Sequence, residues 1–168
     1  MSIRPLAAAV LSAAALAACA TTPYAPSGPV AGSAAFSEGD FAWSQQSGQG
    51  AIEGRIVYTE NGHTFDCVGS AGLTPDTPYT RARFRTLYGS TDRAAVPAAV
   101  VRARDVGEAA ADYRGYVRST ACQGGRFTFT GLPDGGWFLI VPVTAGEAPL
   151  VLMRHVDTRG GRVVNVTL

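Results

Sequence analysis

The sequence predicts a mainly β protein: a β-sandwich of about seven short strands with one or two short helices. Three observations point there. The last 120 or so residues break into strand-length apolar segments separated by turn residues. The chain carries 20 Gly and 10 Pro, which favours many turns. The run from Gly125 to Val141, "GRFTFTGLPDGGWFLIV", places two apolar strands either side of a tight turn. With 46% apolar and 16% charged residues in 168, the chain has material for one real core. Its net charge of +1 gives no electrostatic case for nucleic acid or for an anionic membrane surface. Every basic residue is Arg, a bias to which no function attaches.

The first 18 residues are read as lying outside the fold. "MSIRPLAAAVLSAAALAAC" has one positive charge, Arg4, then an apolar run of Ala, Leu and Val ending at Cys19. The run is short and poor in large side chains for a membrane-spanning helix, and it has the plan of a secretory signal peptide. Residues 20 to 49 are rich in Ala, Ser, Gly, Pro and Gln without a sustained period. They read as a flexible tether spanning roughly 30 Å on average. Phe41 and Trp43 stand out there, as aromatics expected to dock on the following domain or, alternatively, to meet a partner.

The domain is expected over residues 50–168. In "AIEGRIVYT", Ile52, Ile56 and Tyr58 share one face while Glu53, Arg55 and Thr59 share the other, the period of a half-buried strand. Asn61-Gly62 is a hairpin signal. "HTFDCVGSAGL" is a second strand weakened by glycines. Thr77 as N-cap, Pro78 at the first helical position and Gly89 as C-cap delimit a short helix. Thr80, Phe84, Leu87 and Tyr88 would share its inner face, and Arg81, Arg83 and Arg85 would be solvated. For residues 90–114 the sequence predicts a short helix or irregular loop, with Asp105 and Glu108 resembling a capping box before "AAADY". Strands follow in "GYVRSTA", "GRFTFTG", "GWFLIVPV", "PLVLMRHV" and "GRVVNVTL", with Asp157, Arg159, Gly160 and Gly161 in the last turn. Phe127 and Phe129 point inward. Trp137, Leu139 and Val141 line one side of their strand and Phe138 and Ile140 the other, as in a strand covered on both faces.

Two resemblances follow. Leu16-Ala17-Ala18-Cys19 resembles the lipobox of bacterial lipoproteins, which implies a lipidated Cys19 as the mature N-terminus. An ordinary signal peptide, or a buried helix containing a Cys, is the other reading. Two or more acyl chains give a stable anchor without a spanning helix. Ala20, in place of the Asp that commonly retains such proteins at the inner membrane, implies the outer membrane of a Gram-negative cell. The motif G-R-F-x-F-x-G-L-P-x-G-x-[WY] at Gly125–Trp137, with "AIEGRIVY", resembles the carboxypeptidase regulatory-like domain. That resemblance implies a transthyretin-like (prealbumin-like) Greek-key β-sandwich over residues 50–168. It is specific for fold and silent on function, because such domains are accessories to many proteins.

Cys67 and Cys122 remain after Cys19. In an exported domain an even pair reads as a disulfide; two buried free thiols are the alternative. His63, Asp66 and Cys67 lie close in sequence but lack a further ligand set, so no metal and no cofactor is expected. There is no His-Glu-x-x-His, no Gly-x-Ser-x-Gly and no P-loop. His155, beside Arg154 and Asp157, reads as a satisfied structural side chain. No catalytic residue is assigned. The expected function is a non-enzymatic envelope lipoprotein presenting a β-sandwich to a protein partner or as structural support. The alternative is a carbohydrate or small-ligand module that stacks sugars on exposed Trp43, Tyr79 and Tyr88, with Tyr113. Transthyretin-like hydrolases of purine breakdown are a remote third; their C-terminal Tyr-Arg-Gly-Ser is replaced here by Asn165-Val166-Thr167-Leu168.

Overall fold

A computed structural model describes residues 34–106, 111–146 and 148–168. The signal peptide and Cys19 lie outside the described residues, as does Glu108. Among the described residues no helix is long and apolar enough to cross a membrane.

Strand β1 (Gly50–Arg55) buries alternate positions, with Ile52 fully covered. β2 (Thr59–Glu60) and β3 (His63–Thr64) form a small hairpin. Its turn is Asn61-Gly62, with φ of 51° and 80°, the left-handed pair that a tight hairpin requires. The next predicted strand is interrupted. β4 (Asp66–Cys67) and β5 (Ser70–Pro75) both pair with the same neighbour, and the chain breaks between them at Gly69, φ 77°.

Helix α1 (Pro78–Tyr88) begins and ends where its caps predict. The Thr80 N–H donates to Thr77 Oγ1 at 3.2 Å and the Thr77 N–H to Thr80 Oγ1 at 2.9 Å. The Thr80 hydroxyl donates in turn to the Pro75 carbonyl at 2.7 Å, tying the cap to β5. Gly89 closes the helix at φ 73°. Thr80, Phe84 and Tyr88 are its buried residues.

Residues 90–114 differ from expectation at their start. Arg93–Pro97 is a strand, β6, paired antiparallel to a long partner. The Ala-rich "RAAVP" has little strand propensity of its own, so the ladder makes this strand. Pro97 is tolerated because β6 is an edge. Helix α2 (Ala98–Ala103) follows without a side-chain cap, ending before Asp105. β7 (Arg118–Ala121), β8 (Arg126–Leu132), β9 (Gly135–Ala145), β10 (Ala148–Thr158) and β11 (Val163–Thr167) complete the chain.

The strands form a sandwich. One sheet has the order β11-β1-β8, with β1 and β11 parallel. The larger one runs β6-β10-β9-β5-β7, with β4 also on β9. β8 and β9 therefore lie in different sheets: the turn after Gly131 (φ 68°) passes the chain across the sandwich and forms no hairpin. β10 and β11 are separated in the same way, and Asp134 holds that turn by accepting the Gly160 N–H at 2.8 Å.

Between the sheets, Ile52, Phe127, Phe129 and Val166 meet Leu73, Trp137, Leu139, Val141 and Leu152. On the outer face of the larger sheet, Phe84 and Tyr88 of α1 pack on Phe138 and Met153. β9 is thus covered on both faces, as its continuous apolar run predicts. Cys67 and Cys122 form a disulfide, with Cα atoms 6.0 Å apart, fastening β4 to the end of β7.

The segment before β1 corrects the tether reading up to residue 49. Two 3₁₀ turns, Glu38–Asp40 and Ala42–Gln45, lie packed on the domain. Phe41 and Ser44 are fully buried. Trp43 stacks edge-on to Trp137 at 4.9 Å, so close to Gly135 that an added Cβ there would sit 2.2 Å from the indole. Arg118 donates to the Ser44 carbonyl at 2.7 Å and lies over Trp137. Low hydropathy hid this segment because a few large rings, rather than a periodic stripe, carry its burial.

Candidate functional site

Of the aromatics expected to bind a ligand, Tyr79 and Tyr113 come together on one half-buried surface. Tyr88 is 8% exposed and belongs to the α1 core. Burial pushes its hydroxyl up to about 12, with Tyr113 adding to the effect and Arg83 opposing it. Trp43 is half-buried against Trp137 and serves to dock the N-terminal segment. Tyr88 is corrected by its burial in the α1 core, while Trp43 docks on the domain through Trp137, the first of the two readings the sequence allowed it.

Tyr79, in the first turn of α1, is half-buried and meets two rings from distant parts of the chain. Phe36 approaches it edge-on at 5.6 Å, and Tyr113 lies against it at 5.7 Å. Tyr113 is carried by a 3₁₀ helix, Ala111–Tyr116, whose last ring, Tyr116, packs on Phe41 at 4.7 Å. Phe36 also touches Phe41, at 5.3 Å. Three segments thus converge on an aromatic cluster beside α1, with Phe41 buried beneath Phe36 and Tyr116, and half-buried Phe36, Tyr79 and Tyr113 in mutual contact above.

Arg83 departs from the solvated-face reading given to the arginine run. Its guanidinium sits over the Tyr113 ring at 5.3 Å, and its side chain is half-buried. Its Nε and Nη1 atoms, with the Tyr79 hydroxyl, are buried and have no hydrogen-bond partner among the described residues. Buried donors without partners cost roughly 1–3 kcal/mol each, so these atoms lie beneath the aromatic faces at some expense in stability. Phe36 and Tyr116 carried no sequence signal, since neither sits in a periodic apolar pattern. Arg83 was concealed by its alternation with Arg81 and Arg85.

A second polar cluster lies at the other side of α1. Asp76 accepts from His155 Nε2 at 2.8 Å and from Arg81 Nε at 3.1 Å, with a further contact from Arg81 Nη2. Phe138 lies 5.2 Å from the imidazole and 5.9 Å from the Arg81 guanidinium. The Asp76 N–H donates to the Gly136 carbonyl at 2.9 Å. Here β5, α1, β9 and β10 are clamped together, and His155 is satisfied as expected. Asp76 was missed because its partners lie far away in sequence.

Cys67 is held in the disulfide, which removes its thiolate from the His63, Asp66 and Cys67 group. Asp66 Oδ1 instead accepts the Cys67 N–H at 2.7 Å. Among the described residues no three His, Cys, Asp or Glu side chains are grouped to hold a metal ion.

Comparison with known proteins gives a fold and no family. No family model matches the chain, and no curated protein matches it. Among solved structures, the crystal structure of a "putative carbohydrate binding protein" from Pseudomonas aeruginosa is similar over 79% of this chain and 97% of its own. The TM-score is 0.57 at 21% sequence identity. That likeness agrees with the β-sandwich; the chain is similar in fold to that protein.

Proposed function

We propose that this chain is a lipid-anchored envelope protein whose β-sandwich is a carbohydrate-binding module, with the ligand on the Tyr79–Tyr113 cluster. The observation that carries the reading is the meeting of these two half-buried rings at 5.7 Å. Sugars present an apolar face of C–H groups and a rim of hydroxyls. Aromatic walls suit the face. The fold likeness to a protein described in terms of carbohydrate binding supports the same ligand class. The lipobox-like Leu16–Cys19 supports an anchor at Cys19, and Ala20 supports the outer membrane. In this reading the domain needs no cofactor and performs no catalysis. Whether it belongs to the carboxypeptidase regulatory-like domains rests on the Gly125–Trp137 motif.

The test is calorimetric titration of the chain with peptidoglycan fragments and lipopolysaccharide oligosaccharides. Saturable binding to one class is expected, weakened at least tenfold by Tyr79→Ala or Tyr113→Ala. Absence of binding to every glycan, together with one protein crosslinked in cells and lost on Cys19→Ala, would replace the reading with that of a protein adaptor.

A further inference from the structure

A second site lies at the open edge of the sandwich, and it shares no lining residue with the aromatic cluster. There β6 and β10 approach the end of β11 and leave a cavity of about 310 Å³. This is at the lower end of the range of small-molecule pockets, roughly 300–1,000 Å³. Its floor is apolar, formed chiefly by Leu152 and Leu168, and its polar lining includes Tyr58, Arg93 and Arg154.

The two arginines are direct cross-strand partners in the β6–β10 ladder. Like charges at such positions repel and destabilise the pair. Among the described residues neither guanidinium has a carboxylate partner; the ion pairs found are those of Asp76. Arg154 Nη1 donates to the Thr167 carbonyl at 3.2 Å, which holds that guanidinium at the wall. The Tyr58 hydroxyl is engaged by exposed Glu60 at 3.1 Å, so the acidic group at this rim is tied to Tyr58. The result is two exposed cations on neighbouring strands, without a carboxylate side-chain partner among the described residues, beside an apolar floor.

We propose that this cavity binds a small organic carboxylate with an apolar body. Paired guanidinium forks match the two oxygens of a carboxylate, and binding would relieve the repulsion between them. Inorganic phosphate would satisfy the charge but leave Leu152 and Leu168 unused. A neutral apolar molecule would leave the arginines unpaired. The inference stands independently of the carbohydrate reading, because it uses a different surface.

The experiment is amide nuclear magnetic resonance of the full chain in neutral phospholipid nanodiscs, titrated with benzoate, benzyl alcohol or inorganic phosphate. Benzoate is expected to give saturable shifts at the amides of Ala94, Ala95 and Thr167, with the other two probes binding at least tenfold more weakly. Arg93 and Arg154 are exposed, so Arg93→Gln, Arg154→Gln and the double variant should keep the native spectrum. Each single change should weaken benzoate at least threefold and the double change at least tenfold. Equal binding of benzoate by wild type and double variant, equal binding of phosphate and benzoate, or no saturable shift with benzoate would each overturn the proposal.

Discussion

Phe41→Ala asks whether the segment before β1 belongs to the cooperative fold. Phe41 is completely buried, with Phe36 at 5.3 Å and Tyr116 at 4.7 Å. Truncating a core Phe to Ala costs about 3–5 kcal/mol. The loss is capped by what docking of the whole segment contributes, since the segment can detach instead of tolerating a hole. That docking includes Trp43 on Trp137, the Arg118 bond to the Ser44 carbonyl and the Gly48 N–H bond to the Gly131 carbonyl at 3.2 Å. The lower part of the range, about 3 kcal/mol, is therefore expected. With a urea dependence of about 2 kcal/mol/M for a domain of this size, the midpoint should fall by about 1.5 M. Urea unfolding would be followed by circular dichroism and by tryptophan fluorescence. Trp43 reports on the segment and Trp137 on the inter-sheet core, so both probes should move together. A midpoint shift below about 0.3 M, the size of an ordinary surface substitution, would refute the reasoning. Residues 36–46 would then be an appendage, as the composition of the tether suggests.

Two further outcomes are expected. Replacing both Cys67 and Cys122 with Ala opens a link between residues 55 apart in sequence. The unfolded chain regains the entropy of that loop, so stability should fall by about 4 kcal/mol on the loop-closure model. Thermal unfolding with and without reductant checks this, and a loss under about 1 kcal/mol would contradict it. Tyr88 gives an alkaline signature. Its folded pKa of about 12 lies above its ordinary value of 10.0, so its contribution is intact below pH 10. It is lost as the pH rises from about 10 to about 12, where the unfolded chain ionises first. The full loss is about 3 kcal/mol. Tyr88→Phe should flatten that part of the stability profile measured by urea unfolding; an unchanged alkaline slope would show that another group is responsible.

Much of the fold is legible locally. The left-handed turn at Asn61-Gly62, the Thr77, Pro78 and Gly89 signals around α1, and the alternation at Ile52 and Gly54 each depend on a few adjacent residues. The choice among backbone states there is made by sterics and short-range hydrogen bonds, which the sequence carries in full. The continuous apolar run of β9 also announces burial on both faces. Tertiary structure decided what depends on partners distant in the chain. β6 is a strand because β10 supplies its ladder. β8 and β9 part into separate sheets although a short turn joins them. Phe36, Tyr79 and Tyr113 become one cluster, and Arg93 and Arg154 become neighbours, only when the elements carrying them pack. A side chain's type fixes what it can bond to, stack on or repel. Which group it meets is settled by the burial of apolar surface across the whole sandwich, a sum over long-range contacts that no local window contains.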